Sequence, residues 1–365
     1  MSINVARSSM PSFEDYCDEI RPLWESRWLT NQGLKHQALE EALKSFLDAP
    51  YLTLFVNGHQ ALEGILRAMD LEGEVITTPF TYASTTHAIT RIGLTPVFCD
   101  IRPDNLTLDP TLIESLITDK TCAILPVHVY GNLCDVEAIS EIAGRYQLKV
   151  IYDAAHVFGV RKGGEGVASY GDASMLSFHA TKVFHTIEGG AVIYHDPALA
   201  DRLNAEKCFG LDDFEYTGGN SKMNEFQAAM GLCNLRIILD EIDKRATVAE
   251  RYMQNLKGVE GLTCWAPEQD LTPNYAYFPV LFETERFGRS RDEVSDLLAQ
   301  EDIYARKYFY PLTSAFPCYV GKIDPGHTPV AEKTAAEVLC LPMYADLDIY
   351  DVDRICDLII HARRS

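Results

Sequence analysis

What most constrains this chain is an alternation of two patterns. Short β-rich apolar runs, "LTLFV" (52–56), "EVITTP" (74–79), "TPVFCDI" (95–101), "CAILPVHV" (122–129), "KVIYDAA" (149–155), "ASMLSF" (173–178) and "GAVIYH" (190–195), are separated by segments with helical spacing of apolar residues, such as "QALEGILRAMDL" and "DVEAISEIAGRYQL". Strand and helix in alternation predict an α/β fold, a large domain with a mostly parallel mixed sheet between helices. Sheets of this kind bind ligands beyond the carboxyl ends of their strands, so the polar residues just after each apolar run are where chemistry is expected.

From Lys222 to about Gly258 the pattern becomes one long helix, with Phe226, Met230, Cys233 and Ile237 spaced for a buried stripe. Beyond it lie "TCWAPEQDL", a strand-like "YAYFPVLF" and helix-like segments at 289–300 and 329–339, which predict a smaller C-terminal α+β domain. The expected division is a large domain over 1–250 and a small one over 251–365. No low-complexity linker separates them, so the two should pack tightly.

Composition removes several function classes. A chain of 365 residues with 47% hydrophobic and 23% charged residues can bury a large core. A formal net charge of −21 disfavours a nucleic-acid backbone or an anionic membrane as partner, because both need a basic surface. A small nucleotide needs only a local anion site. The opening "MSINVARSSMPSFEDYCDEIRPLW" lacks the apolar core of a signal peptide, and no run is long enough to span a bilayer, so the expected location is cytoplasmic. The 10 cysteines are scattered singly, with no C-x-x-C pair and no Cys/His cluster at zinc spacing, which predicts free thiols in a reducing compartment and no metal.

Three places at the strand ends carry chemistry. "NGHQALEGILRAMD" (57–70) follows a strand and opens a helix, with Gly58 at the turn. Backbone N–H groups at a helix N-terminus can bind a phosphate, and an ordinary βα turn fits the same residues. His59 could add a ring contact there or serve as a cap. Asp153 ends a strand apolar enough to be covered on both faces; a carboxylate at that depth needs a cation or several donors. It reads either as a helix cap or as the partner of a protonated heterocyclic nitrogen. Lys182, in "SFHATKVFHTIEGG" (177–190), lies one βα unit later at the same end of the sheet. Alone it reads as a surface residue, but a partly desolvated lysine has a lowered pKa and forms a Schiff base with an aldehyde. Aldehyde, pyridinium nitrogen and phosphate together describe pyridoxal 5'-phosphate.

The chain resembles the DegT/DnrJ/StrS-type sugar aminotransferases, a branch of the fold-type I pyridoxal phosphate enzymes. The resemblance runs through "RWLTNQGLKHQALEEAL", "NGHQAL", "TTPFTYASTTHAITRIGLTPVFCDI", "DNLTLDP", "LPVHVYGNLCD", "IYDAAHVFG", "SFHATKVFHTIEGGAV" and "NSKMNEFQAAMGL", in this order. It implies that Lys182 is the Schiff-base lysine and proton shuttle, that Asp153 pairs with the pyridine nitrogen, and that His156 lies near the cofactor hydroxyl. It implies phosphate contacts from Gly58, His59 and the Ser177 hydroxyl, although the family more often has Ser or Thr where His59 stands. Tyr82 would stack on the ring, and Asn220 would cross to the neighbour's phosphate, making the active unit a homodimer.

Related sugar dehydratases carry His where Lys182 stands, so the lysine favours amino transfer. "SFHATKVFHTIEGG" and "ARKYFYPLT" (305–313) are most similar to family members acting at carbon 4 of dTDP-4-keto-6-deoxyglucose, with L-glutamate as donor. For the nucleotide sugar, Trp28 and Thr30 in "RWLTNQG" and Arg306, Lys307, Tyr308, Phe309 and Tyr310 offer cations for a diphosphate and rings for base or hexose. A domain-packing cluster reads equally well from those residues. Three alternatives stand beside this reading: a carbon-3 ketosugar aminotransferase, a cysteine desulfurase using Cys318 or Cys208, and a non-catalytic regulator that keeps the fold. An NAD dehydrogenase is disfavoured because no G-x-G-x-x-G opens a βαβ unit.

Overall fold

The computed structural model describes residues 2–211, 214 and 216–363. Its centre is a seven-stranded sheet of β1 (Tyr51–Phe55), β2 (Glu74–Thr77), β3 (Thr95–Phe98), β4 (Thr121–Leu125), β5 (Lys149–Asp153), β6 (Ala173–Ser177) and β7 (Gly190–Tyr194), in spatial order β1-β7-β6-β5-β4-β2-β3. Only β7 runs antiparallel to its neighbours; β6, β5, β4, β2 and β3 are parallel. The carboxyl ends of β2, β5 and β6 therefore lie along one edge. The apolar runs read from the sequence are these strands, because each buries side chains on both faces under helices.

Preceding the sheet are α1 (Phe13–Ile20) and α2 (Leu34–Leu47); flanking it are α3 (Gly58–Ala68), α4 (Ala83–Arg91), α5 (Val136–Tyr146) and α6 (Leu199–Lys207). α7 (Glu225–Leu256) then connects two hydrophobic cores: Ala228 and Ile238 pack in the core shared by α2 and the sheet, and Val248, Tyr252 and Leu256 in a second core. That second core is built on a three-stranded sheet of β8 (Leu262–Cys264), β9 (Phe278–Phe282) and β10 (Val338–Leu341), with α8 (Arg291–Gln300) and α10 (Ile349–Ala362) around it, while Ala331 and Ala335 of α9 (Pro329–Glu337) pack with Phe80, Tyr130 and Phe309. The amino terminus joins this side, since Ile3 and Asn4 pair in parallel with Ile303 and Tyr304.

Two details of α7 correct the sequence reading. The helix starts after Asn224, not at Lys222, because Asn224 and Gln227 form a reciprocal capping box that fixes the first turn. The expected stripe holds at Met230 and Cys233, each 2% exposed, but Phe226 and Ile237 are only half-buried, and the buried face continues instead through Gly231, Asn234, Ile238, Glu241, Arg245, Val248 and Tyr252. In the first turns of the helix the buried residues include Ala228, Ala229 and Gly231. A Cβ at Gly231 would sit 2.8 Å from both Leu39 and Thr186, so nothing larger fits there. Phe226 is turned aside and meets Trp24 edge-on, with ring centroids 5.9 Å apart. The strand read at 275–282 is likewise shorter, beginning at Phe278, because Asn274 and Tyr275 are drawn out of the sheet; Tyr275 has φ +51°.

Candidate active site

At the carboxyl edge of the sheet a cavity of about 520 Å³ opens between the large sheet and the segments around Tyr277 and Tyr308. Of the residues singled out in the sequence, Gly58, His59, Tyr82, Asp153, His156, Ser177, Lys182, Tyr308 and Phe309 line it. Trp28, Thr30, Asn220, Arg306, Lys307 and Tyr310 do not. Trp28 is 48% and Tyr310 58% exposed, Arg306 and Asn220 are exposed, and the Lys307 amine is 2.7 Å from the Asp292 carboxylate.

Each element contributes one chemical group. The N-terminus of α3 enters the cavity with its first N–H groups free of intrahelical partners, and Asn57 caps it by accepting from Gln60 N at 2.8 Å. Two glycines permit this approach. A Cβ at Gly58 would lie 2.9 Å from that of Ser177, and one at Gly190 would lie 2.6 Å from the Gly58 nitrogen. Helix terminus and Ser177 hydroxyl are thus held side by side. The His59 ring is held by neighbours, with Nδ1 2.9 Å from Ser84 Oγ and Nε2 3.2 Å from Glu63.

Asp153 is the last residue of β5 and is 5% exposed. One carboxylate oxygen accepts from Thr85 Oγ1 at 2.7 Å and the other from Ala155 N at 3.1 Å; Thr81 Oγ1 lies 2.8 Å from Thr85 Oγ1. Burial raises the Asp153 pKa, opposed by Thr85, Ala155 and the charge of Lys182. Lys182 follows β6 in a tight turn, its N–H bonded to His179 O. Desolvation lowers its amine from 10.5 to about 8, against the pull of Asp153 and Tyr82. Its Nζ lies 3.3 Å from the Tyr277 hydroxyl. His156, after β5, accepts from Tyr130 N at Nδ1, and burial pushes its pKa well down, so the ring is neutral.

Residues 13–360 match the DegT/DnrJ/EryC1/StrS aminotransferase family. The chain belongs to this family. Over 348 residues the aminotransferase is 42% identical to the dTDP-4-amino-4,6-dideoxy-D-glucose transaminase of Shigella dysenteriae, covering 94% of this chain and 95% of that protein. The Escherichia coli protein of the same name is 42% identical over 365 residues, 98% of each chain. The dTDP-3-amino-3,4,6-trideoxy-alpha-D-glucose transaminase of Streptomyces venezuelae is 32% identical over 350 residues, 93% of this chain and 89% of that one. The crystal structure of DesI with its TDP-sugar product superposes with a TM-score of 0.95 at 32% identity, covering 99% of this chain and 92% of that one.

Members of this family are pyridoxal-phosphate-dependent, and the residues here fit that group. A glycine-cleared helix terminus beside Ser177 is shaped for a dianion, and a buried carboxylate with a raised pKa calls for a cationic partner. The Lys182 amine is poorly solvated and bonded to a neutral hydroxyl rather than a carboxylate, conditions that suit an amine to condense with an aldehyde. Sequence reasoning missed Thr85, Tyr130 and Tyr277. Thr85 had a signal: it lies three residues beyond Tyr82 on the first turn of α4, facing down onto β5. Tyr277 had none, since it meets Lys182 from 95 residues away in the chain.

Proposed function

We propose that the protein moves the amino group of L-glutamate to carbon 4 of dTDP-4-keto-6-deoxyglucose. The product is dTDP-4-amino-4,6-dideoxyglucose, destined for deoxyamino-sugar and O-antigen polysaccharide biosynthesis in the cytoplasm. The observation that carries amino transfer is the convergence of the Lys182 amine, the Asp153 carboxylate and the α3 N-terminus in one cavity. The two transaminase relatives at 42% identity support the sugar, and ten free cysteines support a reducing compartment.

When bound, pyridoxal phosphate supplies an aldehyde that takes up an amino group and a ring that withdraws electrons from the adjacent carbon. Lys182, its amine lowered to about 8, takes the proton released from the donor's α-carbon and holds it at Nζ until it is returned to carbon. Asp153, fixed by Thr85 and Ala155, would keep the ring nitrogen protonated. The Gly58 and His59 N–H groups and the Ser177 hydroxyl would hold the phosphate, and Tyr82 and His156 would flank the ring. Trp28, Thr30, Arg306, Lys307, Tyr308 and Tyr310 form the nucleotide-sugar side, a role for which Lys307 must exchange its bond to Asp292.

The active unit on this reading is a homodimer in which Asn220 reaches the partner's phosphate. Asn220 is exposed outside its own chain's cavity, paired with Cys208 beside exposed Phe209 (55%) and Leu211 (40%), which supports that assignment. The division into domains over 1–250 and 251–365 is supported by the two hydrophobic cores that α7 joins.

Incubating the purified protein with pyridoxal phosphate, L-glutamate and dTDP-4-keto-6-deoxyglucose, and locating the new amine by NMR, tests the proposal. An equatorial amine at carbon 4 is expected. If glutamate is consumed in a half-reaction and no aminated sugar forms, amino transfer stands and the sugar is wrong, with 3-ketosugars next to try.

A further inference from the structure

We propose that Tyr277, carried by the segment leading into β9, is a positioning residue for Lys182, its hydroxyl holding the amine in place and exchanging a hydrogen bond with it in both protonation states. This rests on the reading of Lys182 given above. The Tyr277 oxygen lies 3.3 Å from Lys182 Nζ and 3.4 Å from His156 Nε2.

The direction of each bond follows from the neighbour behind it. His156 Nδ1 accepts from Tyr130 N at 3.0 Å and so carries no proton. The neutral ring must then be protonated at Nε2, which donates to the Tyr277 oxygen. Burial holds the Tyr277 phenol far above its ordinary pKa, so it stays protonated, and its own proton is left for Lys182. A neutral Lys182 amine accepts that proton in a hydrogen bond; a charged one donates to the same oxygen. The titratable groups facing the amine are Asp153 from β5, Tyr82 from the head of α4, His156 and Tyr277, with Arg245 of α7 and Cys340 of β10 behind Tyr277.

Tyr277 is held to this geometry by a clasp. The buried Asn274 amide donates to the carbonyls of His156 and Phe158 at 2.9 and 3.0 Å, and Asn274 Oδ1 accepts from Ala276 N at 3.1 Å. The backbone carrying Tyr277 is thereby fastened to the loop carrying His156. The side of the molecule built on β9 thus sets where the amine on the large sheet points.

The test compares full-length wild type, Tyr277→Phe and Asn274→Ala. One readout, taken on the full-length protein freed of cofactor, is the rate of Lys182 acetylation against pH, followed by mass spectrometry. A hydrogen bond to a charged group is the stronger of the two kinds, so removing the hydroxyl should lower the Lys182 midpoint by about one unit from its value near 8. The other is the single-turnover rate with L-glutamate in the holoenzyme, expected to fall at least about tenfold while cofactor affinity stays within about threefold. Asn274→Ala should move both in the same direction by less. A Tyr277→Phe protein with the wild-type midpoint and the wild-type rate overturns the proposal. Should borohydride reduction of the wild-type holoenzyme leave no cofactor on Lys182, the proposed function fails instead, and the acetylation midpoint still decides the role of Tyr277.

Discussion

Lys182 and Lys207 are both taken out of water, and in both desolvation brings the amine from 10.5 to about 8. Their surroundings differ. Lys207, the last residue of α6, is 1% exposed; its amine donates to Leu54 O at 3.2 Å, lies 5.8 Å from the Phe55 ring centroid and is drawn by Glu40. Lys182 opens onto a cavity with Asp153, His156 and the Tyr277 hydroxyl around it. Burial alone therefore yields a lysine with a lowered pKa in two places. On the proposed function, what separates a reacting lysine from a structural contact is space for a reactant, which Lys182 has and Lys207 lacks.

The largest effect that would sharpen this contrast is loss of the proposed Schiff-base lysine. Lys182→Ala should lower kcat by at least about 10³-fold, whereas Lys207→Met should stay within about twofold of wild type. A steady-state assay in which the two variants suffer equally would erase the distinction. Asp153→Asn keeps the shape and the bond from Thr85 but removes the charge. It should cost about 100-fold in kcat with a much smaller change in KM, and an unchanged kcat would remove Asp153 from the chemistry.

Thr85→Val frees the Asp153 carboxylate from its shortest bond, 2.7 Å, and strands Thr81 Oγ1. A fall of roughly tenfold in kcat and about 1 kcal/mol in stability is expected, read by kinetics and chemical denaturation. The smallest effect belongs to Lys207→Met. The folded-state amine titrates near 8 and the unfolded one near 10.5, so at pH 7 the folded chain carries a charge that burial disfavours. Removing it should stabilise the protein by about 1 kcal/mol at or below pH 8, and the gain should shrink as pH rises toward 10.5, where the wild-type unfolded chain also loses its proton. A gain that grows with pH would reverse the sign argued here.

Much of the fold was legible because its signals are local. Each strand of the large sheet announces itself as a run of apolar residues, and helix periodicity placed α3, α5 and α7 to within a few residues. Where the reading slipped, the cause was a non-local contact or a local polar one that apolar periodicity does not register. The face of α7 nearest the core is set by how closely Leu39 and Thr186 approach Gly231, and its first turn by a capping pair that a search for apolar stripes passes over. The same division holds at the site. Gly58, Asp153, Ser177 and Lys182 sit at strand ends, where topology alone sends them to one edge. The sugar-side residues carry no such guarantee, and Trp28, Arg306, Lys307 and Tyr310 lie outside the cavity of the single chain.

By itself, then, the sequence determined an α/β sheet with a lysine, a carboxylate and a helix N-terminus at one edge, since strand periodicity and chain order decide which ends face the same way. The tertiary structure alone decided what holds those groups at work. Thr85 folds down from α4 onto Asp153, Gly190 makes room for the α3 terminus, and Tyr277 reaches Lys182 from 95 residues away. Those contacts depend on how separate elements pack, and packing is set by the shapes of surfaces that no stretch of sequence contains on its own.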